Sequence, residues 1–141
     1  MNISEHFTLE EFITSNTARH LQIDNTPNRQ VIENITFLVN NLLQPLRTEW
    51  DDIITITSGY RCKQLNDAVL GSKTSRHLKG LAADICPRKG RMREFQQFVT
   101  EFLKTHDYDE CIFEKPRLHV PQWIHLSISP TKNRRKTFTL L

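Results

Sequence analysis

Asp84 is the one carboxylate in an apolar run, Leu81-Ala82-Ala83-Asp84-Ile85-Cys86. Burying an unpaired charge costs several kcal/mol, so this aspartate requires a cation: a metal ion, or an arginine such as Arg61. His77 precedes it by seven positions, and Gly80 between them lets the chain turn from loop into strand. A histidine closing that loop can face an aspartate on the strand that follows. A third candidate is His125, in Gln122-Trp123-Ile124-His125-Leu126-Ser127. Period-2 alternation puts Trp123, His125 and Ser127 on one strand face and Ile124, Leu126 and Ile128 on the other. Two histidines and one carboxylate form the usual ligand set of a catalytic zinc, with a fourth position open to water.

Cysteine does not compete for this role. Cys62, Cys86 and Cys111 are odd in number and lack C-x-x-C spacing, which argues against both a disulfide framework and a thiolate metal site. They are expected to be small buried hydrophobes.

In order along the chain, the segments Ser58-Gly59-Tyr60-Arg61, Ser75-x-His77-x-x-Gly80-x-Ala82-x-Asp84 and Trp123-x-His125-x-Ser127 resemble the zinc D-alanyl-D-alanine carboxypeptidases. That superfamily also holds the hedgehog signalling domain. The resemblance begins at Phe7-Thr8-Leu9-x-Glu11-Phe12 and covers nearly the whole chain. It implies one zinc per chain on His77, Asp84 and His125, and a peptidoglycan stem peptide as substrate. Arg61 would bind the substrate's terminal carboxylate, a task suited to a planar fork of donors. Ser75 would bond the substrate or its own loop. Many relatives carry an acid three residues before the last histidine ligand, where this chain has Gln122, which cannot accept a proton from water. Other relatives place a glutamate on the preceding strand, and Glu114 fits that description as general base. His119 is a candidate to stabilise an oxyanion. Trp123 is a candidate substrate wall or a core residue.

These residues need a frame. Leu9 to His20 reads as a short helix capped by Thr8, with Glu10 and Glu11 in its first turn. A second helix is expected to start with Thr26 as cap and Pro27 at the first helical position. Val31, Ile32, Ile35, Leu38, Val39, Leu42, Leu43 and Leu46 then recur at helical spacing as a core stripe, and Pro45 should kink it or start a new turn. Ile53 to Thr57, Leu81 to Cys86, Glu110 to Glu114 and Trp123 to Ile128 read as strands. Thr137 to Leu141 is a candidate edge strand. Arg61 to Leu70 and Arg91 to Thr105 read as helices, the latter from Met92, Phe95, Phe98, Val99 and Phe102. The class is therefore α+β: a small antiparallel sheet with helices on one side, as in the hedgehog/DD-peptidase fold. One domain is expected over 1–141, with a helical part at about 8–50, a metal-site sheet at about 53–128 and a basic tail.

The composition excludes several classes. The chain has 141 residues, 25% of them charged, and a formal net charge of +3. That balance suits an anionic wall more than a nucleic acid, and the run Lys132-Asn133-Arg134-Arg135-Lys136 has no interleaved aromatics to stack on bases. It is expected to be a solvated turn. No apolar run approaches the roughly 20 residues of a membrane span. Met1 to Phe7 shows no signal peptide, so the expectation is a monomer made in the cytoplasm, with release at lysis as its route to the wall, as for an endolysin-like protein. The leading reading is a zinc peptidase of D-Ala-D-Ala carboxypeptidase or endopeptidase type. The rival is a zinc-containing wall-binding protein without hydrolysis.

Overall fold

A computed structural model describes residues 1–141. The chain opens with two short helices rather than one: α1 (Leu9–Ile13) and α2 (Asn16–His20). Thr8 caps α1 through a reciprocal pair with Glu11, whose carboxylate accepts the Thr8 backbone N–H at 2.7 Å. The expected continuous helix breaks because Ser15 is itself a cap, accepting the Ala18 N–H at 3.1 Å. The cap of α3 (Arg29–Leu38) is Asn28, not Thr26: its side chain accepts the Val31 N–H at 2.9 Å. Thr26 is instead engaged by Asp24 at 2.5 Å, and Pro27 lies outside the helix.

Pro45 has the expected effect by an unexpected route. Residues Val39–Leu43 widen into a π turn, in which the Gln44 N–H reaches Val39 C=O, and α4 (Gln44–Trp50) then starts with Pro45 in its first turn. Proline lacks the N–H that a continuous α-helix would need there, and the wider turn absorbs the mismatch.

The remaining elements are β1 (Ile54–Ser58), α5 (Lys63–Ala68), a 3-10 turn (Arg76–Lys79), β2 (Ala82–Pro87), α6 (Met92–Phe102), β3 (Glu110–Glu114), β4 (Trp123–Ser127) and β5 (Lys136–Leu140). The sheet order is β1-β2-β4-β3-β5. All neighbours are antiparallel except β5, which runs parallel to β3 along the edge. Ala83, Ile85, Cys111, Phe113, Ile124 and Leu126 face one way and join the stripes of α3, α4 and α6 in a single core, where Phe12, Ile35, Leu38, Leu42 and Phe95 are fully buried. The architecture is thus α+β, with the long helices on one sheet face.

The other face stays open, with α2, α5 and the 3-10 turn at its rim. Cross-strand register aligns Ser58, Asp84, His125, Ile112 and Phe138 in one row across five strands. A second row holds Trp123, Glu114 and Leu140. The basic run near the C-terminus is not simply a solvated turn. Arg134 pairs with Asp109 at 2.8 Å, and Arg135 donates to Leu103 C=O at 2.8 Å and lies 5.2 Å from the Tyr108 ring. These arginines latch the last strand to the domain. No helix is long and apolar enough to cross a membrane.

Candidate metal centre and cleft

Three elements deliver the three residues that could hold a metal. The 3-10 turn presents His77, β2 presents Asp84, and β4 presents His125 directly opposite Asp84 in the ladder. His77 Nε2, Asp84 Oδ1 and His125 Nδ1 form an equilateral triangle with every side 3.2 Å. A tetrahedral zinc with bonds of about 2.0–2.1 Å holds its ligand atoms about 3.3–3.4 Å apart, so the triangle has the right size. All three residues are buried.

The protonation of His77 is fixed from behind. Its Nδ1 lies 2.6 Å from Gly59 C=O, an acceptor, so Nδ1 carries the proton and Nε2 turns a lone pair to the triangle. Gly59 is dictated by space: a Cβ there would sit 2.5 Å from Phe12 O, and the next residue, Tyr60, donates its N–H to that same carbonyl. The turn carrying His77 is anchored three more times. Ser75 Oγ accepts the His77 N–H at 3.1 Å, Gly80 ends the turn at φ +76°, and Asn34 donates to Lys79 C=O at 2.9 Å. Burial by itself would raise the Asp84 carboxyl. The neighbouring imidazoles of His125 and His77 outweigh it and hold the group well below the usual carboxylate range.

The triangle opens into a cleft of about 1460 Å³. Five carboxylates line it, and four are already engaged. Glu10 pairs with the N-terminal ammonium, Glu11 caps α1, Asp84 is in the triangle and Glu110 lies 3.4 Å from Arg134. Glu114 makes no side-chain hydrogen bond or ion pair. It shares a face with Ile112, the ladder partner of His125, and so stands diagonally from that histidine at about 7–8 Å between backbones. Gln122 is exposed and outside the cleft, with its amide donating to Lys115 C=O at 2.8 Å. His119 is also outside it, exposed on the β3–β4 connection at φ +68°, and is not brought to the other candidates.

Arg61 lines the same cleft without an ion-pair partner. Burial pushes its guanidinium down, and the charges of Asp84 and Glu114 pull it back up. Its Nε is buried and unpartnered, as is Nε1 of Trp123 on the cleft face of β4. Two residues not anticipated from the sequence hold Arg61 in place. Asn66, 1% exposed, accepts Arg61 Nη1 at 3.3 Å while donating to Ser72 C=O at 3.0 Å. Asn25 grips the backbone on both sides, donating to Tyr60 C=O at 3.0 Å and accepting the Cys62 N–H at 2.8 Å. The cysteines are free and outside the triangle, and burial pushes the Cys111 thiol up to about 12.

A search among curated proteins returned no match. The family model for Peptidase M15 matches residues 5–127, a span that holds the triangle, Arg61 and Glu114. The chain therefore belongs to the Peptidase M15 family, whose members are zinc metallopeptidases.

Proposed function

We propose that this protein is a zinc-dependent peptidase that hydrolyses a peptide bond of bacterial cell-wall peptidoglycan, as a D-Ala-D-Ala carboxypeptidase or endopeptidase. The observation that carries this reading is the 3.2 Å triangle opening onto a cleft with one free carboxylate and one free guanidinium. A wall-binding protein without hydrolysis would have no use for an unengaged Glu114 beside the ligands.

His77, Asp84 and His125 hold one zinc per chain. Zinc supplies Lewis acidity and makes water nucleophilic near neutral pH. Glu114 takes the proton of the attacking water and returns it to the leaving amine, the role that Gln122 cannot fill. Arg61 receives the substrate's terminal carboxylate. Asn66 and Asn25 pre-set its position, so little side-chain freedom is lost on binding. Ser75 shapes the turn that carries His77 and adds a hydroxyl to the cleft wall. Trp123 forms part of the cleft wall, with its Nε1–H buried behind it.

The test is metal analysis of the purified protein beside digestion of peptidoglycan fragments, with and without a chelator. One zinc per chain and chelator-sensitive release of D-alanine or cross-link cleavage are expected. One zinc per chain with no cleavage across several wall chemotypes would replace the enzyme with the binding protein.

A further inference from the structure

β1 does not alternate to its end, and the break falls opposite a residue of the triangle. Ile54 is buried in the core and Ile56 packs against it, so regular period-2 alternation would turn Ser58 toward the core as well. The cross-strand register changes instead. Ile56 stands opposite Ile85 and Ser58 opposite Asp84, so two steps along β1 are matched by one along β2. Thr57 is the extra residue, and the strand carries a β-bulge there. A one-residue slip exchanges the faces of the residues that follow it. Ser58 therefore joins Asp84 on the cleft face. The chain then leaves the strand so that Gly59 C=O lies 2.6 Å from His77 Nδ1 and the Arg61 N–H donates to His77 C=O at 3.0 Å.

Thr57 also holds the residue that the bulge faces. Its hydroxyl donates to Asp84 C=O at 3.2 Å. This is the one side-chain hydrogen bond that Asp84 receives from outside the triangle, because its carboxylate meets only His77 and His125. A bulge disrupts the ladder locally, and β1 is an outer strand with no further strand to fix its register. A hydroxyl that ties the two strands together at this point supplies that restraint. Thr55, two positions earlier on β1, is also exposed, and its hydroxyl bonds nothing. We propose that Thr57 is a positioning residue for the metal centre. Its place in the bulge sets where Gly59 and Arg61 follow, and its hydroxyl fixes the Asp84 peptide so that the carboxylate meets both histidines at the same distance. The proposal rests on reading the triangle as a zinc site, and not on hydrolysis.

The experiment measures the zinc Kd of the full chain by competition with a chromophoric chelator, together with the visible absorption of the cobalt-substituted protein. Thr57→Val keeps the shape and β-branching of the side chain and removes only the donor. Thr57→Ser keeps the donor, and Thr55→Val is the control on the same strand. Groups that orient a metal ligand without touching the ion are typically worth about 10–100-fold in affinity. Thr57 acts on the Asp84 peptide rather than on its carboxylate, so Thr57→Val is expected to raise Kd by about tenfold, the lower end of that range, and to shift the cobalt absorption bands. Thr57→Ser and Thr55→Val should both bind zinc as the wild type does. Urea unfolding of the zinc-free proteins separates positioning from bulk stability. A Thr57→Val protein that is less stable without metal yet keeps the wild-type Kd overturns the proposal. Equal weakening by Thr55→Val, or failure of Thr57→Ser to restore affinity, overturns it too. A wild type that binds no zinc removes the metal reading and this proposal with it, whereas zinc binding without wall cleavage removes only the peptidase and leaves Thr57 in its role.

Discussion

Replacing Asp109 by asparagine tests the frame that carries both His77 and β5. Asp109 is fully buried and accepts from Arg76 Nε at 2.8 Å and from Arg134 Nη2 at 2.8 Å, Nε at 3.1 Å and backbone N at 3.0 Å. Arg76 adjoins His77, and Arg134 precedes β5. Removing one partner of a fully buried ion pair costs about 3–5 kcal/mol. Here the arginine side chains remain 26% and 46% exposed and asparagine keeps an acceptor oxygen, so a loss of about 2–3 kcal/mol is expected. For a domain of this size that lowers Tm by roughly 5–10 °C. The pH dependence has a definite sign. The Arg134 side chain holds the Asp109 carboxyl well below the usual carboxylate range against the opposing effect of burial, helped by the Arg134 backbone N–H and by Arg76. A depressed folded value means that the stabilisation is complete above the unfolded value of about 3.9 and is lost as pH falls toward the folded one. Urea unfolding of both proteins at pH 7, 5, 4 and 3 reads this directly. The gap should be constant from pH 7 to 5 and should narrow below about pH 4. Equal midpoints at pH 7, or a gap that widens on acidification, would refute the argument.

Three further outcomes follow from the cleft. Glu114→Gln should reduce kcat on wall peptides by about 10²–10⁴-fold while zinc content stays at that of the wild type, measured by turnover and atomic emission. His77→Ala and His125→Ala should each abolish stoichiometric zinc and with it the thermal stabilisation on zinc addition, which for the wild type is about 2.7 kcal/mol at a free zinc concentration one hundred times Kd. Asn66→Ala should raise KM for a substrate with a free terminal carboxylate by about tenfold and leave an amidated substrate unaffected, because it frees Arg61 without touching the triangle.

What could be read from the sequence was set by periodicity and by residue type. The stripe from Val31 to Leu46 and the alternation around His125 depend only on local spacing, and both appear in the fold, except that Ile32 lies outside the core cluster. Asp84 announced itself because a carboxylate in an apolar run has few physical solutions. The start of α3 was harder: Thr26 and Asn28 are both good caps, and the choice fell to Asn28 once Asp24 engaged Thr26. The parallel pairing of β5 with β3 joins residues far apart in sequence, which no local pattern encodes. Asp109 lies beside Glu110 and near Asp107 and looks like part of an acidic surface loop, yet it is completely buried. Asn66 is an ordinary helix residue by type and becomes informative only beside Arg61.

The hardest contribution to foresee is the one on which the triangle most depends. Gly59 has no side chain, and its carbonyl is chemically the same as every other in the chain. It fixes the His77 tautomer because three constraints coincide there. The chain leaves β1 at Ser58, Phe12 O takes the Tyr60 N–H, and the close approach at Phe12 leaves no room for a Cβ at residue 59. With Nδ1 committed to that carbonyl, Nε2 of a neutral His77 ring can only accept. Asp84 also only accepts when ionised, and it meets His77 and His125 at equal distances. At most one hydrogen, on His125 Nδ1, is available to bridge three acceptor atoms. A hydrogen bond can satisfy one edge of such a triangle, whereas a cation at its centre satisfies all three corners, so the geometry is better matched to a metal ion than to a self-contained ion pair.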